Sequence, residues 1–356
     1  MIPSRFILGF AVGGASVTVP VYLSEMAPTE WRGRLSARNE VAVVFGQLLA
    51  FVVNAILATT LGHHEGVWRY MLAVAAIPAI MLFIGMLSMP ESPRWLVSKG
   101  RTDEALAVLK QVRPEDRAEA ELNEVIKLAQ TSNTEKTMTV REGFRKPWIR
   151  KLLLIGTAIA VIQQLTGINS VMFYGTEILK VAGFTADVAI VANIANGILS
   201  VTGMLIGLKL ISRLPRRSMI LFGLGWVAAL HLAIAIADWA MPESTFKSVL
   251  TMILIVLFVG VMQACLGLVI WVVLGEMFPL RIRGAAIGFA VFWMWIANAT
   301  VAFTFPTFIE LCNIEGTLLL FAVLNLLSFL TVKKWLPETG DRSLEQLEEE
   351  FALDDN

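Results

Sequence analysis

The chain has 356 residues, 56% of them hydrophobic and 16% charged, and its 29 Lys+Arg balance 29 Asp+Glu for a formal net charge of zero. That balance excludes a bulk electrostatic pull toward nucleic acid or an acidic partner. A mean hydropathy of +0.69 excludes an ordinary soluble domain and points to a polytopic, all-α membrane protein.

The charges cluster, leaving nine charge-free runs: 6–24, 41–62, 70–90, 152–176, 188–208, 218–237, 248–275, 284–309 and 316–332. A helix needs about 20 residues to cross roughly 30 Å of hydrocarbon, so each run predicts one span. The runs are continuous and Leu/Ile/Val/Ala-rich, unlike the alternating segments of about 10 residues that build a barrel. The first run follows a single Arg5 and leads straight into a charged phrase, which marks a retained span rather than a cleaved signal. When the connectors are placed alternately on two sides, 25 of the 29 Lys+Arg fall in one set (25–40, 91–151, 209–217, 276–283 and 333–356). The positive-inside rule makes that set, and the C-terminus with it, cytoplasmic.

Going along the chain, the phrase at 24–33, SEMAPTEWRG, recurs at 275–284 as GEMFPLRIRG, sharing Glu-Met-x-Pro-x-x-x-Arg-Gly. A second phrase follows each copy, PESPRW at 90–95 and PETGDR at 337–342. Two units therefore follow one plan. Three spans and most of a fourth precede Glu276 within the second unit, whereas one precedes Glu25. This imbalance leads to the expectation that about three spans of a twelve-span plan are absent from the amino end. In both copies Glu25 and Glu276 end a span, Pro28 and Pro279 stop the helix, and Arg32 and Arg283 open the next segment. Acid and base at a helix end can pair with each other or with charges on neighbouring spans. Such half-exposed pairs contribute about 0 to 1 kcal/mol each, weak enough to break and re-form in a gate. Topogenic charge beside a tight turn remains the simpler alternative for one copy.

Between the units, 91–151 carries 13 Lys+Arg, with apolar stripes at Leu106, Leu109, Val112 and at Leu122, Val125, Ile126, Ala129. These predict short helices on the cytoplasmic face, acting as a linker or as a latch. Ser343 and Gln346 form a capping-box pattern that predicts one more short helix in the tail. The predicted divisions are 1–90 for the rest of a first six-helix domain, 91–151 for the linker, 152–335 for a second six-helix domain and 336–356 for the tail. His63 and His64 read as surface residues of an outer connector. No nucleophile–base pair, metal constellation or phosphate loop is visible, so no catalytic residue, metal or cofactor is expected and the chain does not read as an enzyme. Cys265 and Cys312 lie in or beside spans and imply no disulfide framework.

Within the spans, Gln163, Gln164 and Asn169 interrupt an apolar run around a Thr166-Gly167 step that permits a local break. Amides donate and accept at once and suit a neutral polyhydroxy ligand, or else serve as interhelical glue. Taken together, RFILGFAVGGASVTVPVYLSEMAPTEWRGRL, PESPRWL, QQLTGIN, GEMFPLRIRG and PETGDRSLEQLE resemble the sugar porter family of the major facilitator superfamily, from its fourth helix to its end. The resemblance implies nine of the twelve helices of a two-domain fold that opens a central pocket alternately to each side. It further implies sugar contacts at Gln163, Gln164, Asn169 and Tyr174, an aromatic platform at Trp271, and pocket positions at Gln47, Asn298 and Glu40. Glu40 stands where the family has a glutamine; hydropathy puts it at the cytoplasmic edge and the resemblance puts it deeper. Phe173, Leu268 and Met294 also depart from the family pattern, as do Ser212 and Pro215 in the 212–217 loop. A cytoplasmic gate is implied at Glu25, Arg32, Glu91, Arg94, Arg213, Arg217, Glu276, Arg283 and Glu338.

Arg5 lies in an apolar run, where a lone Arg costs roughly 2.5 to 3.5 kcal/mol. The resemblance implies proton coupling through an acid on the first helix; a snorkelling interfacial Arg is the alternative. The resulting expectation is a monomeric, multi-pass cell-membrane protein that moves a sugar or polyol, such as an inositol, together with a proton. A facilitator, a sugar sensor and an inert truncated fragment stay open.

Overall fold

The computed structural model describes residues 2–27, 32–64, 66–134, 139–242, 244–278 and 282–339, and every regular element among them is a helix. In chain order these are α1 (Ile2–Met26), α2 (Arg32–Leu61), α3 (Val67–Val74), α4 (Ala76–Ser88), α5 (Pro93–Ser98), α6 (Thr102–Val112), α7 (Glu115–Thr134) and α8 (Val140–Arg145). Then come α9 (Pro147–Leu165), α10 (Ile168–Val181), α11 (Ala186–Leu210), α12 (Arg216–Ala240), α13 (Thr245–Met262), a π-helical turn (Gln263–Gly267), α14 (Leu268–Met277) and α15 (Arg283–Trp335).

Among the described residues, eight helical stretches are long and apolar enough to cross a membrane. The last, α15, has 53 residues and would extend about 80 Å at 1.5 Å per residue, far beyond a bilayer core of about 30 Å. It is interrupted at Asn313, the one non-glycine residue with positive φ (57°) among those described. Asn is the residue that tolerates the left-handed region most readily. Counted as two passes, α15 brings the total to the nine spans expected from the charge-free runs. A milder interruption separates α3 from α4: Pro78 has no N–H to offer the Val74 carbonyl, so the helical ladder lapses at Ala75. The expected tail helix after Ser343 lies outside the described residues, as do Pro28, Pro279 and the Arg32 and Ala129 side chains.

The chain divides into two compact units, residues 1–42 with 68–137, and residues 43–67 with 138–356. In the first unit none of the described side chains of α1, α3 and α4 is fully buried. Leu96, Ala105 and Val108 form a small core among α5 to α7, against which Met26, Val97 and Leu122 pack. The stripe read from the sequence is shifted there. Val108 is buried instead of Val112, which ends α6 and is 47% exposed. Arg113 pairs with Glu121 (Nε to Oε2, 2.7 Å) and donates from Nη2 to the Met26 carbonyl at 3.1 Å. It thus neutralises one of the free carbonyls at the end of α1. Arg113→Ala is expected to cost about 2 kcal/mol, less than a fully buried pair would because Glu121 can rehydrate. Limited proteolysis checks this, with faster cleavage between residues 93 and 134.

The second unit packs α9, α12, α13, the π turn, α14 and α15 around a core that includes Leu153, Ile220, Leu224, Phe258, Val269 and Ile270. Small residues let backbones approach: a Cβ on Gly207 of α11 would stand 2.6 Å from the Ala264 carbonyl oxygen in the π turn. From α2, Leu48 and Phe51 pack on Gly197 of α11 in the same way. The largest side chains on the outer face of α12, Phe222, Trp226 and Trp239, are exposed. A helix that is apolar on all sides is suited to lipid on that face.

Candidate functional site

The site begins with a broken helix. α9 and α10 form one 35-residue stretch interrupted at Gly167, whose φ of 79° only glycine adopts without strain. Thr166 stabilises the break locally: its hydroxyl donates to the Gln163 carbonyl at 2.7 Å and accepts from the Ile168 N–H at 3.4 Å. The ring of Phe321 on α15 lies across the glycine, with its nearest atom 3.1 Å from where a Cβ would stand.

The break brings together the amides singled out in the sequence. Gln163 and Gln164 are buried at 7% and 6% exposure and Asn298 at 6%. Gln164 is the hub, its Oε1 accepting from Asn169 Nδ2 at 2.6 Å and from Asn298 Nδ2 at 3.1 Å. Gln163 Nε2 donates to the Gly267 carbonyl at 3.4 Å, at the end of the π turn. That turn is helix geometry with poorer hydrogen bonding, a feature often found at functional sites. Trp271, one turn beyond Gly267, is half-buried and packs against the core. Tyr174 donates to the Ala302 carbonyl at 3.0 Å and stacks on Phe305 at 5.2 Å, so α10 and α15 are joined one turn beyond Asn298. Met294, one turn before Asn298 on α15, is buried. The cluster is amide-rich and uncharged, able to offer donors and acceptors to hydroxyl groups but with no ion to anchor a charged solute.

The other expected site residues lie on α1, α2 and α10. Gln47 is half-buried on α2 beside Leu48, and no hydrogen bond joins it to the amide cluster among the described residues. Glu40 is the third residue of the span that begins at Arg38, and it accepts from its neighbour Asn39 at 3.5 Å. Arg5 is exposed on α1 and Phe173 is 60% exposed on α10.

The repeated phrases meet at the ends of the spans. Glu25 accepts from the Ser92 hydroxyl, and Glu276 accepts from the Thr339 hydroxyl at 2.9 Å. In each copy the glutamate of the first phrase therefore takes the hydroxyl of the second. Tyr22 reinforces the first of these clasps, donating to the Pro90 carbonyl at 2.8 Å. Sequence reasoning weighed the charges and missed Ser92 and Thr339, although the Pro-Glu-Ser and Pro-Glu-Thr triplets carried the signal. The cation beside Glu276 is Arg216, at 3.3 Å, a residue sequence reasoning did not single out. Arg283 instead donates to the Phe278 carbonyl (3.1 Å), Arg217 to the Lys333 carbonyl (2.6 Å), and Arg213 is exposed. Glu91 and Arg94 are exposed at the start of α5. Glu338 accepts from the backbone N–H groups of Arg216 (2.8 Å) and Arg217 (3.1 Å), capping α12 with a carboxylate. Glu338→Ala is expected to cost about 1 to 2 kcal/mol, and hydrogen exchange at residues 216–219 should accelerate correspondingly.

A model of the family described as sugar (and other) transporter matches residues 1–351. The major myo-inositol transporter of Bacillus subtilis is 48% identical over 356 residues, covering 100% of this chain and 75% of that protein. The arabinose-proton symporter of the same organism is 31% identical, covering 98% of this chain and 74% of its own length. Among solved structures, the inward-open xylose transporter of E. coli matches with a TM-score of 0.81 at 28% identity, over 97% of this chain and 72% of that one. With its broken apolar helices, the central amide cluster and a match along nearly its whole length, the chain belongs to the sugar (and other) transporter family and is a multi-pass membrane protein of the major facilitator fold.

Proposed function

We propose that this protein is a secondary transporter of the cell membrane that carries a sugar or polyol, an inositol foremost, together with a proton by alternating access. The observation that carries the reading is the hydrogen-bonded set of Gln163, Gln164, Asn169 and Asn298 at the break between α9 and α10. Amides matched to hydroxyls discriminate strongly against solutes that leave them unpaired. Tyr174 and Trp271 supply the wall and the aromatic platform, and Gln47 on α2 adds a further candidate amide. The 48% identity to a myo-inositol transporter supports the polyol, and proton coupling follows the relatives named as proton symporters. The lopsided Lys+Arg distribution supports a cytoplasmic C-terminus. The carrier is taken to act as a monomer embedded in lipid.

Arg5 is the proposed coupling charge, since an arginine in an apolar span favours an acidic partner, and protonation of that acid would release it. The clasps Glu25–Ser92 and Glu276–Thr339, with Arg216 and the carboxylate cap of Glu338, are the proposed moving parts of the cytoplasmic gate; Arg32, Glu91, Arg94, Arg213, Arg217 and Arg283 are its further candidates by sequence. Uptake of labelled myo-inositol into proteoliposomes tests the reading. A membrane potential of about 100 mV supplies roughly 2.3 kcal/mol per charge, enough for about fifty-fold accumulation of a neutral solute. Accumulation should collapse with a protonophore, and Arg5→Gln should abolish accumulation while sparing counterflow. Uptake that equilibrates without accumulating and ignores the protonophore would reject coupling in favour of facilitated diffusion.

A further inference from the structure

Behind the helix break lies a second polar feature that the amide cluster does not use. His231 on α12 is 1% exposed, with its ring between Phe258 (4.6 Å between centroids) and Phe321 (5.8 Å). Its Nδ1 is buried without a hydrogen-bond partner among the described residues, and so is the hydroxyl of Ser170, itself 1% exposed in the first turn of α10. Both residues line one cavity of about 10 Å³, together with Gly167, Thr317 and Phe321. The Thr317 hydroxyl is already committed, donating to the Asn313 carbonyl at 2.7 Å. Two orphaned polar groups in an otherwise apolar setting are each costly to bury. A cavity of roughly 10 to 15 Å³ open to a water's centre holds one water molecule, provided polar partners line it. No charged side chain lines this cavity, which suits a neutral guest rather than an ion.

We infer that His231 and Ser170 form a buried seat for one water molecule, which pins the first turn of α10 to α12 and so positions Asn169 for its bond to Gln164. His231 and Ser170 are thus positioning residues for the amide cluster. Asn169 directly precedes Ser170, so a shift of that turn moves the amide that completes the hub. The same ring of His231 packs against Phe321, the side chain that lies over Gly167, so both supports of the break converge on α12 and α15. The functional consequence rests on the sugar-binding reading; the seat itself does not.

The experiment uses the full chain in nanodiscs, with hydrogen exchange at residues 168–172 and myo-inositol titration followed by tryptophan fluorescence. Ser170→Ala and His231→Leu should each speed exchange of that turn about tenfold and weaken myo-inositol binding about tenfold, the scale of one lost bridged hydrogen bond. His231→Asn, whose amide can stand near the place of Nδ1, should stay within about twofold of the parent chain. Because one water serves both groups, the Ser170→Ala/His231→Leu double variant should be no worse than either single one. Unchanged exchange in Ser170→Ala, multiplicative effects in the double variant, or His231→Asn as impaired as His231→Leu would each overturn the seat. If exchange responds as expected while the parent chain binds no myo-inositol, the seat stands and the polyol reading falls.

Discussion

Gln164→Ala is expected to lower the affinity for myo-inositol by about two orders of magnitude and to reduce uptake to background. Gln164 Oε1 accepts from both Asn169 and Asn298, so its removal strands two buried donors. The change also removes one of the amides that would meet the solute. Interhelical hydrogen bonds within membranes average only about 0.6 kcal/mol, so the folded state should survive where the site does not. Purified Gln164→Ala should therefore unfold within a few degrees of the parent chain while losing binding. A variant that loses stability and affinity together would mean that the cluster is structural glue. Gln164→Glu sharpens the distinction, since it keeps an acceptor for both asparagines but withdraws the donor and can add a charge.

Gly167→Ala should do the reverse, harming fold and function at once. A φ of 79° is costly for any residue with a Cβ, about 1 to 2 kcal/mol, and that Cβ would sit 3.1 Å from the Phe321 ring. The ring cannot retreat freely, because it lies against Phe305 and His231. Together these effects imply a loss of about 2 to 4 kcal/mol, visible as a lower unfolding temperature in detergent. In a Phe321→Ala background Gly167→Ala should cost less than in the parent chain, since the smaller residue removes the steric share but not the backbone share. A cost of nothing in that background would show that the positive φ contributes little.

Much of this was legible before the structure. Long charge-free runs specify spans directly, because the bilayer imposes one length on every crossing and forbids unpaired backbone within it. The Thr166-Gly167 step was recognisable for a related reason: glycine between amides within an apolar run has few uses other than a break. What the sequence conceals is the choice of partner across space. Arg216, Arg217 and Arg283 are equivalent as charges, yet only Arg216 reaches Glu276, because Arg217 and Arg283 are turned to backbone carbonyls. The hydroxyls of Ser92 and Thr339 were passed over since a neutral donor carries no long-range signal, although at hydrogen-bonding distance it satisfies a carboxylate as well as a cation does. His231 gave no warning either. A histidine in a run of alanines and leucines reads as one more core residue until its neighbours are seen to offer it nothing.

Whether the amides at the break between α9 and α10 hold a hydroxylated solute is decided by a structure of the chain determined with myo-inositol bound. Ring hydroxyls are expected within hydrogen-bond reach of Gln163, Gln164, Asn169 and Asn298, with the ring face toward Trp271. Density for the polyol elsewhere, with these four amides still bonded only to one another and to Gly267, would contradict it.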